Sequence, residues 1–105
     1  MKNIIGNPRK SGTLEIAEHD FPTQMVWDEA KNACALLGDG WRLPTKEELN
    51  ELYSQKNEIG GFADAYYWSS TEYYGNNAWI QYFFSGDQNA NLKNSIYSVR
   101  AVRTF

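Results

Sequence analysis

Apolar residues recur along this chain at two periods, and the change from one to the other divides it into segments. Thr13 to Glu18 alternates polar and apolar residues, which places Leu14 and Ile16 on one face of a half-buried edge or near-edge strand. His19-Asp20-Phe21-Pro22 ends that strand, because Pro22 has no N–H and biases Phe21 away from helical geometry. From Trp27 the period becomes helical. Trp27, Ala30, Cys34 and Leu37 form one stripe, with Gly38 as the predicted stop. Asp28 and Glu29 favour the first turn through the helix dipole, whereas Val26 offers no capping oxygen and Thr23 would cap a slightly earlier start. A second helix has a clear beginning, since Thr45 and Glu48 have the spacing of a capping box. Leu49, Leu52 and Tyr53 form its buried stripe, and it is expected to fade near Lys56 or Asn57, before Gly60-Gly61.

Beyond a connector at Phe62 to Tyr66, the pattern is one of short strands and turns. Tyr67 to Glu72 is the first strand, and Gly75-Asn76-Asn77 turns it back. Ala78 to Phe84 is the clearest strand, with Trp79, Gln81 and Phe83 on one side and Ile80, Tyr82 and Phe84 on the other. Ser85-Gly86-Asp87 turns again, Gln88 to Leu92 is a short strand, and Lys93-Asn94-Ser95 is another turn. Tyr97 to Thr104 closes the chain, Val99 and Ala101 opposite Arg100 and Val102. Two helices followed by closely spaced antiparallel strands predict an α+β domain, its helices packed on the sheet. Trp41-Arg42-Leu43-Pro44 reads as an extended link inserting Trp41 and Leu43, and residues 1–12 read as an irregular lead-in arm of a single domain, 1–105.

Composition narrows the function. The 105 residues suffice for one core, to which four Trp, five Phe and seven Tyr contribute much of the apolar area. The net charge of −3, with Lys and Arg dispersed, provides no basic stripe for nucleic acid. No apolar run approaches membrane-spanning length and the start lacks a signal-peptide core, so the sequence as written reads as cytoplasmic, without membrane insertion. Cys34 is alone, which rules out an intrachain disulfide and places it as a small buried hydrophobe.

Catalytic chemistry finds little support. His19 is the only histidine, and in an extended segment its neighbour Asp20 points the opposite way, so the two form no oriented dyad. The chain has no phosphate-binding glycine loop, no paired carboxylates at a helical interval and no metal-ligand spacing. The expectation is a non-enzyme without cofactor or metal. Of Arg100 and Arg103, which a strand projects to opposite faces, one is expected in an ion pair with Glu72 and the other in solvent.

A binding surface remains. Trp41, Trp68, Trp79 and Phe83 are assigned to the core, with indole N–H groups on backbone acceptors. The pleat then turns Ile80, Tyr82 and Phe84 outward, and an apolar patch of that kind marks a ligand surface or a subunit interface unless the Asp87–Tyr97 segment covers it. The expected ligand face comprises Tyr73, Tyr74, Asn76, Asn77, Ile80, Tyr82, Phe84, Asp87, Asn89, Asn91, Asn94 and Tyr97. Tyr supplies contact area at low entropy cost, while Asn adapts its hydrogen bonds, as in a protein- or surface-glycan-binding paratope. Self-association into a homo-oligomer is the rival.

Trp27-Asp28-Glu29-Ala30 leading to Cys34 and Gly38, Trp41-Arg42-Leu43-Pro44-Thr45-Lys46-Glu47-Glu48-Leu49, Tyr67-Trp68-Ser69-Ser70-Thr71-Glu72, Ala78-Trp79, Gly86 and Val99-Arg100-Ala101-Val102-Arg103 form an ordered set of motifs. Together they resemble the DUF1566 family, related to the C-terminal domain of a Legionella collagen-like adhesin. The resemblance implies a C-type-lectin-like fold with adjacent chain ends and a binding surface of irregular loops. It also brings in the variable proteins of diversity-generating retroelements, in which a C-terminal frame holds scattered, rewritten positions. The calcium-chelating Glu-Pro-Asn or Gln-Pro-Asp loop of sugar-binding relatives is missing, and the similarly folded formylglycine-generating enzymes need a cysteine pair that Cys34 cannot supply.

Overall fold

The computed structural model describes residues 3–105. The elements run β1 (Arg9–Ser11), β2 (Leu14–Ile16), α1 (Trp27–Ala35), α2 (Lys46–Ser54), α3 (Lys56–Ile59), β3 (Tyr66–Glu72), β4 (Asn77–Tyr82), β5 (Gln88–Leu92) and β6 (Val102–Thr104). They form two antiparallel three-stranded sheets, β1-β2-β6 and β3-β4-β5, so the domain is α+β. The first sheet brings the two ends of the chain together, since β2 pairs with β6 through Leu14↔Thr104 and Ile16↔Val102.

The lead-in is more ordered than its composition suggests. Arg9–Ser11 forms a hairpin with β2 around Gly12, whose φ of +58° is the left-handed geometry such a turn needs. This makes β2 the middle strand of its sheet, with Leu14 and Ile16 buried on one face as expected. Met1 and Lys2 of the expected arm lie outside the described residues. In α1, Trp27, Ala30 and Cys34 are buried, and Val26 at the N-cap makes no side-chain bond. The capping box of α2 is complete: Glu48 N–H donates to Thr45 Oγ1 at 3.1 Å, and Thr45 N–H donates to Glu48 Oε1 at 2.9 Å. The helix breaks at Gln55, but one further turn, α3, carries Ile59 into the core.

Helices pack on both sides of the β3–β4 pair. One face packs with Trp27, Ala30 and Cys34 of α1 against Trp68, Ala78 and Ile80. The other packs with Leu49 and Leu52 of α2 against Tyr67 and Phe83. The sheet is therefore covered on both sides as far as Ile80, and the expected division into an inward and an outward face holds at Phe83 and Phe84 but not at Ile80 and Trp79. Ile80, placed outward from the sequence, is 2 % exposed, with Trp68 and Ala78 as companions in the core. Trp79, placed in the core, is only half-buried. Trp41, Trp68 and Phe83 are core residues as expected. The Trp68 indole donates to Met25 O at 2.8 Å, and that of Trp27 donates to Ser69 O at 2.8 Å, at the bulge where the β3–β4 register shifts.

The closing segment also departs from simple alternation. Only Val102–Thr104 is regular strand; upstream, single bridges join Tyr97 to Met25 and Ser98 to Tyr67. Val99, Arg100, Ala101 and Val102 are all buried as a result. Arg100 is paired with Asp20, not Glu72: its Nε donates to Asp20 Oδ1 at 2.7 Å, and Nη1 donates to Ala17 O at 3.1 Å and Gly60 O at 3.3 Å. The Tyr67 hydroxyl donates to the other oxygen of Asp20. Burial pushes the Asp20 carboxyl up from its ordinary value, against the opposing pull of Arg100 and Tyr67. Arg103 pairs with Glu15 at 2.6 Å, and Glu72 is taken by Lys93 at 2.8 Å.

Candidate recognition surface

Antiparallel pairing across the Gly75 turn sets Trp68 opposite Ile80 and Tyr66 opposite Tyr82, so these four side chains share one face. Along that face burial falls steadily: Ala78 and Ile80 are in the core, Tyr82 is half-buried, and Phe84, in the turn beyond the strand, is 64 % exposed. The opposite face runs the other way, from half-buried Asn77 and Trp79 to fully buried Gln81 and Phe83. Gln81 tolerates burial because its amide is satisfied. Nε2 donates to Asn50 Oδ1 and Gly86 O, both at 2.9 Å, and Oε1 accepts from Gln88 Nε2 at 3.2 Å.

Where the first face opens, the rings form a row. Tyr66 and Tyr82 stack with centroids 4.5 Å apart and planes 16° from parallel. Tyr97 lies 5.5 Å from Tyr66 on one side, and Phe84 lies 6.0 Å from Tyr82 on the other. β5 adds amides beside the rings, with Asn89 opposite Ile80 and Asn91 opposite Ala78. Asn91 Nδ2 donates to the Tyr97 hydroxyl at 2.6 Å, and Asn89 is exposed. Asp87 is exposed at the turn, its carbonyl accepting from Tyr82 N–H at 2.8 Å. Of the residues expected on the ligand face, the fold therefore brings together Tyr82, Phe84, Asp87, Asn89, Asn91 and Tyr97.

The other expected residues are elsewhere. Tyr73 packs edge-on against Trp79 at 5.3 Å on the opposite face, and Tyr74, 85 % exposed, lies beside Tyr73. Asn77 holds the turn: its Nδ2 donates to Tyr74 O at 2.8 Å and its carbonyl accepts from Tyr73 N–H at 2.8 Å. Asn76 and Asn94 line a shallow groove of about 320 Å³ with Val26, Asp28, Leu92 and Lys93, at the far end of the sheet. Ile80 is in the core and presents nothing to a ligand. Tyr66, which the sequence pattern assigns to the connector, is the member of the row that composition and alternation miss. The signal for it is the hairpin register, which fixes Tyr66 against Tyr82 once Trp68 is placed against Ile80.

Among the described residues, His19, Asp20 and Cys34 do not come together. His19 Nε2 lies 3.5 Å from Glu18 Oε1, while Asp20 is committed to Arg100 and Tyr67. Burial pushes the Cys34 thiol up to about 12, away from the thiolate a nucleophile needs. Among the described residues no group of three or more His, Cys, Asp and Glu side chains is placed to hold a metal. Among the described residues no helix is long and apolar enough to cross a membrane.

The model of one family, the Lcl C-terminal domain, matches residues 8–103. The chain belongs to the Lcl C-terminal domain family. No curated protein matches this Lcl C-terminal domain in sequence. Among solved structures, it is similar to botrocetin in the crystal structure of that protein, with a TM-score of 0.67 at 12 % identity over 95 % of this chain and 98 % of that one. The same values describe its match to a structure of botrocetin in complex with a mutant von Willebrand Factor A1 domain. At this identity the likeness establishes the fold alone, which is C-type-lectin-like.

Proposed function

We propose that this Lcl C-terminal domain is a non-enzymatic recognition module that binds a protein partner through the open end of the β3–β4–β5 sheet. The observation that carries the reading is the row Tyr97, Tyr66, Tyr82 and Phe84, laid on a sheet whose opposite face is packed on α2. Stacked rings on a rigid strand pair lose little freedom on contact, and the neighbouring amides of Asn89 and Asn91 supply adaptable polar bonds. A row open along one side suits a broad partner better than an enclosed metabolite. The structural relative seen in complex with the von Willebrand Factor A1 domain is a precedent for protein recognition on this fold.

The test is a panel of purified surface proteins and an array of glycans, probed with the wild type, with Tyr82→Ser/Phe84→Ser, and with Tyr74→Ser as a control on the other face. Protein binding that the double variant loses and the control keeps is the expected result. Binding indifferent to Tyr82 and Phe84 overturns the reading, and glycan binding alone transfers the site to a carbohydrate. Sedimentation equilibrium decides the rival: an oligomer that the double variant dissociates makes the row a subunit interface. As a finer reading, exposed positions such as Tyr74, Asn76, Phe84, Asp87, Asn89 and Asn94 are the ones a retroelement would diversify, since changing them leaves the core intact. A near-copy of their codons beside a reverse transcriptase gene is the mark to look for in the neighbouring DNA.

A further inference from the structure

Seven of the nine described basic side chains of this protein lie over its own rings. Lys10 lies over Phe105, Lys31 and Lys93 over Trp27, Lys46 over Trp79, Lys56 over Tyr53, Arg100 over Phe62 and Arg103 over Trp41, with centroid distances from 3.6 to 5.1 Å. The remaining described basic side chains, Arg9 and Arg42, pair with Glu18 and Glu48. Among the described residues, no Lys or Arg covers Tyr66, Tyr82, Phe84 or Tyr97. The row shares this lack of a cation with exposed Tyr73 and Tyr74, and differs from them in the carboxylate and amide beside it.

One carboxylate stands at its open end. Asp87 is joined through its carbonyl to Tyr82 N–H at 2.8 Å. It is exposed and has no salt-bridge partner among the described residues. Asn89 adds an amide oxygen that accepts no hydrogen bond among the described residues, free for an N–H donor. Lys93, the nearest cation along β5, is held by Glu72 and the Trp27 ring instead.

We propose that the open row takes a cationic partner, an arginine- or lysine-bearing segment of another protein. This rests on the row being the binding face and names the chemistry it selects. A guanidinium has the plane to stack on the exposed ring of Phe84, donors for Asn89 Oδ1, and a charge to set against Asp87. The net charge of −3 favours the approach of a basic partner and disfavours an acidic one.

The experiment is a chemical-shift titration of the isotope-labelled domain with three probes: an acetylated, amidated hexapeptide alternating glycine and arginine, its glutamate counterpart, and a neutral maltoheptaose. The arginine peptide is expected to shift resonances of Tyr66, Tyr82, Phe84 and Asn89, with the other two silent. Tyr82→Leu and Phe84→Leu, which keep apolar bulk but remove the ring quadrupole, are each expected to weaken binding about two- to fivefold. Asp87→Asn is expected to weaken it roughly twofold, with a dependence on salt. Shifts confined to Glu47, Glu51 and Glu58 on the helical side overturn the proposal, as does binding that the leucine variants retain in full. Shifts of the row by the glutamate peptide or the maltoheptaose, but not by the arginine peptide, overturn the cationic class while leaving the row a binding face. Silence of the row to all three probes, together with no dependence on Tyr82 and Phe84 in the protein and glycan panels, removes both.

Discussion

The two faces of β4 carry similar residues and have opposite fates. On one, burial is complete at Ala78 and Ile80 and gives out at Tyr82 and Phe84; on the other it is partial at Trp79 and complete at Gln81 and Phe83. The cause is where the cover ends. The cluster around α1 closes over the first face at Ile80, and α2 meets the second face at Gln81 through Asn50, at Phe83 through Leu49 and Leu52, and at Trp79 through Lys46 next to its N-cap. A glutamine buried on the strand and a phenylalanine displayed in the turn just beyond it show that polarity does not decide which side chain is covered. The neighbouring helix decides, provided that every buried polar group finds its partners.

The comparison is broken most directly at the deepest residues. Phe83→Ala, which empties the contact with Tyr67 and Phe62, is expected to cost about 3–5 kcal/mol in urea denaturation. A loss under about 1 kcal/mol would mean that this face is less tightly covered than its geometry indicates. Next comes Ile80→Ala, with an expected loss of about 2–4 kcal/mol by the same measurement. A near-neutral result would restore the outward Ile80 expected from alternation alone.

The effect of Glu48→Gln is smaller and depends on pH. The Arg42 guanidinium, bonded to both oxygens of Glu48 at 2.7 and 3.0 Å, holds this carboxyl below its ordinary 4.5. The folded-state value is therefore below the unfolded one, so the stabilisation is present above about pH 4.5 and is lost as pH falls through the lower, folded value. Arg42 is more than a third exposed, which screens the pair and limits the loss at pH 7 to roughly 0.5–1 kcal/mol. Thermal melts from pH 7 to pH 3 should show the variant losing less stability on acidification than the wild type. Phe84→Ala is the smallest in stability, within about 0.5 kcal/mol, because its ring is mostly in water. The same substitution should remove partner binding, and that contrast separates a displayed ring from a structural one.

Much of the frame was legible from local chemistry. The Thr45–Glu48 box, the Trp27–Ala30–Cys34 stripe and the inward Leu14 and Ile16 depend on neighbours within a turn or a strand, and each stands where its pattern places it. Gly86 was legible as frame but not for its reason: a φ of +87° and the Tyr53 ring, 2.6 Å from where a Cβ would sit, leave room only for hydrogen. The hairpin at Arg9–Ser11 was not legible because its three residues have no apolar alternation to announce them. The partner of Arg100 was out of reach for another reason. Asp20 lies 80 positions away in sequence, and no local rule selects it over the other carboxylates.

The candidate surface divides in the same way. Composition alone marked the Tyr- and Asn-rich stretch between Tyr73 and Tyr97 as an expected place of contact, and the single cysteine, the lone histidine and the dispersed charge set the expectation of neither catalysis nor nucleic-acid binding. These expectations come from residue types and their spacing, which the chain carries before it folds. Only the tertiary structure sorted the stretch into a core isoleucine, a turn-holding asparagine, an aromatic edge around Trp79 and the open row from Tyr97 to Phe84. A strand's alternation says which residues share a face. Which face is dry, and how far along, depends on helices and loops that pack against it from distant parts of the chain.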